Sequence, residues 1–172
     1  MEDTVNDVTE CGKVEDTILY GRHVELIPFK DPADWEYLFD LAETDEGHYA
    51  TREQLIDTIK RYGFRFWIME AKGVRWGVGL CLKADDKFIM EGLKDKRVSG
   101  VTIKHSVEAG QLVLKYLSGL TDTVLTCARE KDKGIQILCR KLGFVQTETV
   151  ASPYGKIVLF KKEDKKCQSL QQ

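Results

Sequence analysis

Between residues 23 and 161 the apolar positions switch period several times, from two to about 3.6 and back, and each switch marks an element. Val24 and Leu26 fall on one face at period two within residues 23–29, which predicts a strand. Asp31 and Pro32 then supply an N-cap and a first-turn proline, and Trp35, Leu38, Phe39 and Ala42 share one face of the helix that follows. A second helix opens at Thr51, whose Thr-Arg-Glu-Gln start has capping-box form, and it carries Leu55, Ile59 and Tyr62 on one stripe. Three strands come next, at 65–71, 75–83 and 87–93. Lys72-Gly73 and Ala84-Asp85-Asp86 separate them, the pattern of an antiparallel meander.

Ile103, Val107, Gly110, Leu114 and Leu117 return to helical spacing over 103–117, and residues 123–128 read as a strand. A fourth helix gathers Ile135, Leu138 and Leu142 and stops at Gly143. Residues 144–151 and 156–161 close the pattern as a hairpin through Ser152-Pro153-Tyr154-Gly155. The predicted order is β-α-α-β-β-β-α-β-α-β-β. It describes an α/β protein with a mixed sheet flanked by helices on both faces.

At 172 residues the chain has the size of one domain, with enough apolar content to form a sizeable core. Residues 1–16 carry Glu2, Asp3, Asp7, Glu10, Glu15 and Asp16 against Lys13, and are expected to be a disordered acidic arm. The domain is expected to span 17–161, and the charged, glutamine-ended segment 162–172 to be a disordered tail. A net charge of −2 gives no global attraction to nucleic acid. The five cysteines are odd in number and widely spaced, without metal-ligand patterns, and read as reduced thiols. With no apolar run near the roughly 20 residues of a membrane span, a soluble cytoplasmic protein without a bound metal is expected.

The candidate chemistry begins at Arg97-Val98-Ser99-Gly100-Val101-Thr102, where a strand, a glycine turn and the start of a helix at Ile103 meet. Such a junction aims several unpaired backbone N–H groups at one point, with the positive end of the helix dipole behind them, and so suits a phosphate. These six residues resemble the Arg/Gln-x-x-Gly-x-Gly/Ala loop of the Gcn5-related N-acetyltransferase (GNAT) superfamily, with Thr102 departing at the last position. The element order is also that of the GNAT fold. Residues 24–35 are similar to the opening of the ribosomal-protein-type acetyltransferases. Residues 129–144 look like the superfamily's Glu-Asn-x-x-Ala-x-x-x-Tyr-x-x-x-Gly-Phe segment, with Leu142-Gly143-Phe144 intact.

The resemblance implies a divergent member that uses acetyl-CoA as co-substrate and transfers its acetyl group to a primary amine by direct attack in a ternary complex. Arg97, Val98, Ser99, Gly100, Val101, Thr102 and Ile103 would hold the pyrophosphate. The pantetheine arm would lie where strands 87–93 and 123–128 splay apart. Glu91 falls where many members carry the glutamate that deprotonates the amine, or else is a solvent-facing strand residue. Cys139 stands in place of the usual tyrosine acid, and Asp132 in place of an asparagine near the cofactor; a buried core thiol and a plain N-cap are the alternatives. A homodimer through the last strands is a further expectation. Lys104, His105, Ser106, His23, His48, Trp67, Trp76 and Tyr154 are weaker candidates, each with a structural reading as surface or core. The rival function is a catalytically degenerate GNAT-fold protein that binds CoA, or docks on a partner through its charged arms as a small phage-encoded factor would.

Overall fold

The computed structural model describes residues 17–44 and 51–164; the acidic arm, His48, Cys11 and Cys167 lie outside the described residues. The strands are β1 (Leu19–Tyr20), β2 (Glu25–Pro28), β3 (Gly63–Ala71), β4 (Val74–Ala84), β5 (Lys87–Lys94), β6 (Thr123–Arg129), β7 (Val145–Ser152) and β8 (Gly155–Glu163). The helices are α1 (Pro32–Thr44), α2 (Arg52–Tyr62), α3 (Ile103–Leu117) and α4 (Lys133–Lys141). One eight-stranded sheet runs β1-β2-β3-β4-β5-β6-β8-β7, and its only parallel pairing is β5 with β6.

Alternation along β3 sorts the core into two layers. Phe66 and Ile68 point to one face, where Trp35, Leu38 and Phe39 of α1 and Leu55, Ile56 and Ile59 of α2 cover them. Trp67 and Met69 point to the other, beneath Ala109, Val113 and Leu117 of α3 and Cys139 of α4. Trp67 and Trp76 are therefore core residues, and Trp67 meets the Tyr116 ring edge-on at 5.4 Å.

The local signals act as their chemistry dictates. Thr51 Oγ1 accepts the Gln54 N–H at 3.1 Å and Asp31 Oδ1 accepts that of Ala33 at 2.9 Å, so both predicted caps are formed. Lys72 and Gly73 both take positive φ (52° and 75°), as a two-residue hairpin turn with the twist of its strands requires. Gly143 ends α4 at φ +86°, and Lys162 Nζ donates to the Leu142 carbonyl at 2.9 Å, serving the C-terminus of that helix.

Two expectations are corrected. A strand at Leu19–Tyr20 precedes the first predicted one, pairing Leu19 with Leu26; two residues carry no readable period. The last strand continues to Glu163, so Lys162 and Glu163 belong to the sheet and not to the tail. Among the described residues, no helix is long and apolar enough to cross a membrane.

Gly110 sets the distance between α3 and α4. A Cβ there would lie 2.6 Å from Leu142 Cδ1, and Leu142 is itself buried. Gly110→Val is expected to cost about 2 kcal/mol through overpacking, lowering the melting temperature by roughly 4–8 °C for a chain of this size. Gly119→Ala, with open space around it, should stay within about 0.5 kcal/mol of the parent. Thermal unfolding of the three proteins tests this.

Candidate active site

β5 and β6 hydrogen-bond only across Phe88–Val124 and Ile89–Leu125, after which they part. β5 stays paired to β4 as far as Lys94, and β6 to β8 as far as Arg129. Past Ile89 and Leu125, then, each strand leaves one backbone edge facing the gap. A cavity of about 160 Å³ opens there, bordered by Met90 to Lys94 on one side and Thr126 to Arg129 on the other. Ser106, Ala109 and Gly110 of α3 and Ile135, Leu138 and Cys139 of α4 close its base.

Glu91 pairs with Leu80, a residue of the α1/α2 layer, so its carboxylate lies on that face of the sheet at the rim of the gap. Cys127 of β6 stands opposite, its thiol donating to Glu91 Oε1 at 4.0 Å. Burial, with the Glu91 charge beside it, pushes the Cys127 thiol up to about 12. Cys139 is 4% exposed on the inner face of α4, where burial pushes its thiol up to about 11. Both thiols are protonated at neutral pH. Sequence reasoning did not single out Cys127; its signal was a polar-capable side chain two positions past Leu125 on the parallel strand.

The loop between β5 and α3 is built around Asp95, only 6% exposed. Its carboxylate accepts from Arg97 N at 3.0 Å, from Arg97 Nε at 2.8 Å and from the Tyr37 hydroxyl of α1 at 3.1 Å. Arg97 also donates to Asp40 of α1 at 2.6 Å. These bonds hold the Asp95 carboxyl below the usual carboxylate range, the Arg97 side chain being the largest cause, while burial first and the Asp95 carboxylate second raise the pKa of the Tyr37 hydroxyl. Arg97, expected at a phosphate, thus has its Nε, its Nη2 and its backbone N–H engaged by carboxylates. Val98 N–H is occupied as well, by the Asp95 carbonyl at 3.2 Å.

Gly100 adopts φ +81° with nothing near its missing Cβ, so the backbone conformation and not crowding calls for glycine. Thr102 is the N-cap of α3, and its N–H donates to His105 Nδ1 at 3.1 Å while the His105 N–H returns to the Thr102 carbonyl. Lys94 Nζ clips the Val101 carbonyl at 3.0 Å. Among the described residues, the N–H groups left without a protein acceptor in this loop are those of Ser99, Gly100, Val101 and Ile103.

Asp132 caps α4 by accepting the Ile135 N–H at 3.2 Å, and it borders the cleft. Gln136, which the sequence reading passed over, is buried and donates to the carbonyls of Arg129 and Glu130 at 3.2 and 2.8 Å, tying α4 to the end of β6. Ile135, expected on the buried stripe, is 38% exposed where α4 lines the cleft. Ser106 lines the cleft, Lys104 is exposed beside the loop, and Tyr154 is half exposed in the last hairpin. His23 is exposed, and its N–H donates to Glu108 at 2.6 Å. Among the described residues, no group of three or more metal-ligating side chains is assembled.

No family model and no curated protein sequence matches the chain. Solved structures do. The GNAT-family acetyltransferase of Bacillus anthracis superposes with a TM-score of 0.67 at 13% identity, covering 86% of this chain and 98% of that one. A GCN5-related N-acetyltransferase of Brucella melitensis gives 0.63 at 16%, covering 88% and 80%. RimL, a ribosomal L7/L12 alpha-N-protein acetyltransferase solved in complex with coenzyme A, gives 0.66 at 12%, covering 86% and 98%. At these identities the likeness establishes the fold, which is the GNAT fold.

The Asp95 lock has a pH signature. A carboxyl held below its unfolded pKa contributes stability that is full above the ordinary value near 4 and fades as pH falls through the folded one. Asp95→Asn is expected to cost about 2 kcal/mol at pH 7, in the range for hydrogen bonds to a buried charge. The gap between the two proteins should narrow below about pH 4. Urea unfolding at pH 7 and at pH 3 measures both.

Proposed function

We propose that the chain is an acetyl-CoA-dependent N-acetyltransferase that passes the acetyl group directly to a primary amine within a ternary complex. The observation that carries this reading is the parted β5–β6 pair, with a carboxylate at its rim and with Lys94 and Ser106, which flank the anion loop, in its lining. The residues fit the co-substrate. The unoccupied N–H groups of Ser99, Gly100, Val101 and Ile103, backed by the α3 dipole, suit a pyrophosphate. The narrow, largely apolar gap suits the pantetheine arm. Acetyl-CoA supplies an activated acyl group; the protein's tasks are alignment, proton removal and charge stabilisation.

Glu91 is the base in this reading. It stands on the α1/α2 face, so an amine approaching from that side would meet the carboxylate on the way to the gap. The open edge of β5 offers backbone N–H groups to the oxyanion that forms on attack. Arg97, Val98 and Thr102 act by shaping the loop, and Asp132 by starting α4 beside the cleft. Cys139, in the cleft lining on α4, would be the acid for a departing thiolate, yet a thiol that burial pushes up to about 11 surrenders its proton poorly. That observation favours a second reading, a GNAT-fold protein that binds CoA without turning it over.

Three measurements separate the readings. Calorimetric titration with acetyl-CoA should show binding, and Gly100→Pro should abolish it, because proline cannot take φ +81°. Release of CoA thiol in the presence of an amine panel should require Glu91. Glu91→Gln should slow it about 100-fold or more with cofactor affinity unchanged. Binding without release in the parent protein selects the second reading, and absence of binding removes both.

Cys139→Ala distinguishes acid from core. As core it costs about 1 kcal/mol through a small cavity and leaves turnover alone; as acid it depresses turnover. We expect the loss of stability alone, read from melting temperature and rate on the same preparation.

A further inference from the structure

The β5–β6 cleft reaches further than the strand gap that opens it. Its lining includes Gly79 of β4 and Met69 of β3, which lie one and two strands beyond β5 on the side away from β6. At about 4.8 Å per strand, the cavity therefore runs roughly 10 Å sideways from β5, beneath α3. Val113 of α3 borders this branch, seven residues after Ser106 and so about 10 Å further along the helix. A pantetheine arm lying along the parted strand edges has no use for such a side branch.

Two glycines make the branch. Gly79 pairs with Gly92 across β4 and β5, and the register sets both on the α3/α4 face of the sheet, beside Trp67 and Met90. Neither takes a positive φ. Crowding does not demand them either: a Cβ at Gly92 would meet only the Val78 carbonyl oxygen, at 3.7 Å, and one at Gly79 would stand 3.9 Å from Met69 Sδ and from Trp67 Cε3. Gly77, two residues earlier, is the contrast, since a Cβ there would lie 2.4 Å from the Leu93 carbonyl oxygen. What Gly79 and Gly92 leave is space, and a glycine inside a strand often marks the close approach of a ligand. Met69, Met90, Val113, Leu142 and Phe144 give the space apolar walls. Packed interiors leave few voids larger than a water molecule. The cavity's volume of about 160 Å³ is close to the roughly 150 Å³ of an apolar core cavity that takes up benzene.

We infer that this branch holds the acyl group of an acyl-CoA longer than acetyl, with about six acyl carbons; the inference rests on the acyl-CoA reading above. The thioester carbonyl stays at the gap, and the chain passes beneath α3 across Gly92 and Gly79 toward Met69. An acetyl methyl would end at the gap and leave the branch empty. The flexible thioethers of Met69 and Met90 adapt to the chain without polar groups to desolvate. Glu91 and Cys127 stand on the opposite face of the sheet, so the acyl chain and an incoming amine occupy different sides and do not compete.

The test is calorimetric titration of the full chain with CoA, acetyl-CoA and hexanoyl-CoA. Each buried methylene is worth a factor of about four in affinity, so hexanoyl-CoA is expected to bind at least about tenfold more tightly than acetyl-CoA. Gly79→Ala places a methyl group in the branch at ordinary contact distance from its neighbours, and should cut that gain at least about threefold. Should the variant fail to fold, Val113→Leu fills the same space from α3 and is held to the same outcome. Hexanoyl-CoA binding where acetyl-CoA does not keeps the branch and replaces acetyl as the donor group. If CoA and acetyl-CoA bind but hexanoyl-CoA gains less than tenfold, the branch is overturned while the acetyl-CoA reading stands. A gain left undiminished by the substitution overturns it equally, because the chain would then lie elsewhere. If none of the three binds, the inference falls together with the reading it rests on.

Discussion

The short parallel ladder between β5 and β6 is the constraint on which the rest of the molecule depends. Every other neighbouring pair in the sheet is antiparallel. A parallel pair needs a crossover, because the chain must return to the end of the sheet at which the first strand began. Here α3 provides it. The crossover starts just beyond the carboxyl end of β5, which is where the ladder has already failed, so the N-terminus of α3 and the open gap lie side by side. One topological requirement thus produces both the helix end with its unpaired N–H groups and the slot, at the carboxyl ends of the strands where open sheets tend to bind ligands.

Around that junction most side-chain charge is structural. Asp95 folds the loop and joins it to α1 through Tyr37, while Arg97 extends the link to Asp40. Glu108, Asp132 and Gln136 each satisfy backbone groups at the start or end of an element. What remains for a ligand is mainly backbone N–H and a few unpaired cations, which bind phosphate by geometry and field without needing a particular side chain. This explains how the chain carries Thr102 and Asp132 at positions where the GNAT pattern has other residues. Thr102 and His105 cap one another at the head of α3, and Asp132 caps α4.

The helices and the long strands were legible because burial imposes a period on their side chains. Trp35, Leu38 and Phe39, or Phe66 to Met69, reveal their faces without any knowledge of what covers them. Caps and turns were legible too, since Thr51, Asp31, Gly73 and Gly143 satisfy rules that operate within a few residues. β1 was not, because two residues have no period, and its pairing with Leu26 depends on the Glu108 carboxylate from a helix some 85 residues away. Ile135 shares its stripe with Leu138 and Leu142 as the spacing requires, yet stays 38% exposed because that face of α4 opens on the cleft there. Hydrophobic spacing reveals a stripe but not whether packed core or an open cleft lies against it.

The sequence by itself determined the order of elements, the mixed sheet with a helical layer on each face, the glycine at a left-handed turn, and the location of a strand-loop-helix junction suited to an anion. All of these follow from local conformational preference and from the requirement that apolar surface leave water. Only the tertiary structure decided that Arg97 is a strut between two carboxylates, that Cys127 faces Glu91 across the gap, and that Thr102 gives its N–H to His105. Each of those is a meeting of groups distant in sequence or free to choose among several partners. Which partner a polar group takes is settled by whichever acceptor or charge the packed backbone brings within about 3 Å, and no local pattern records that.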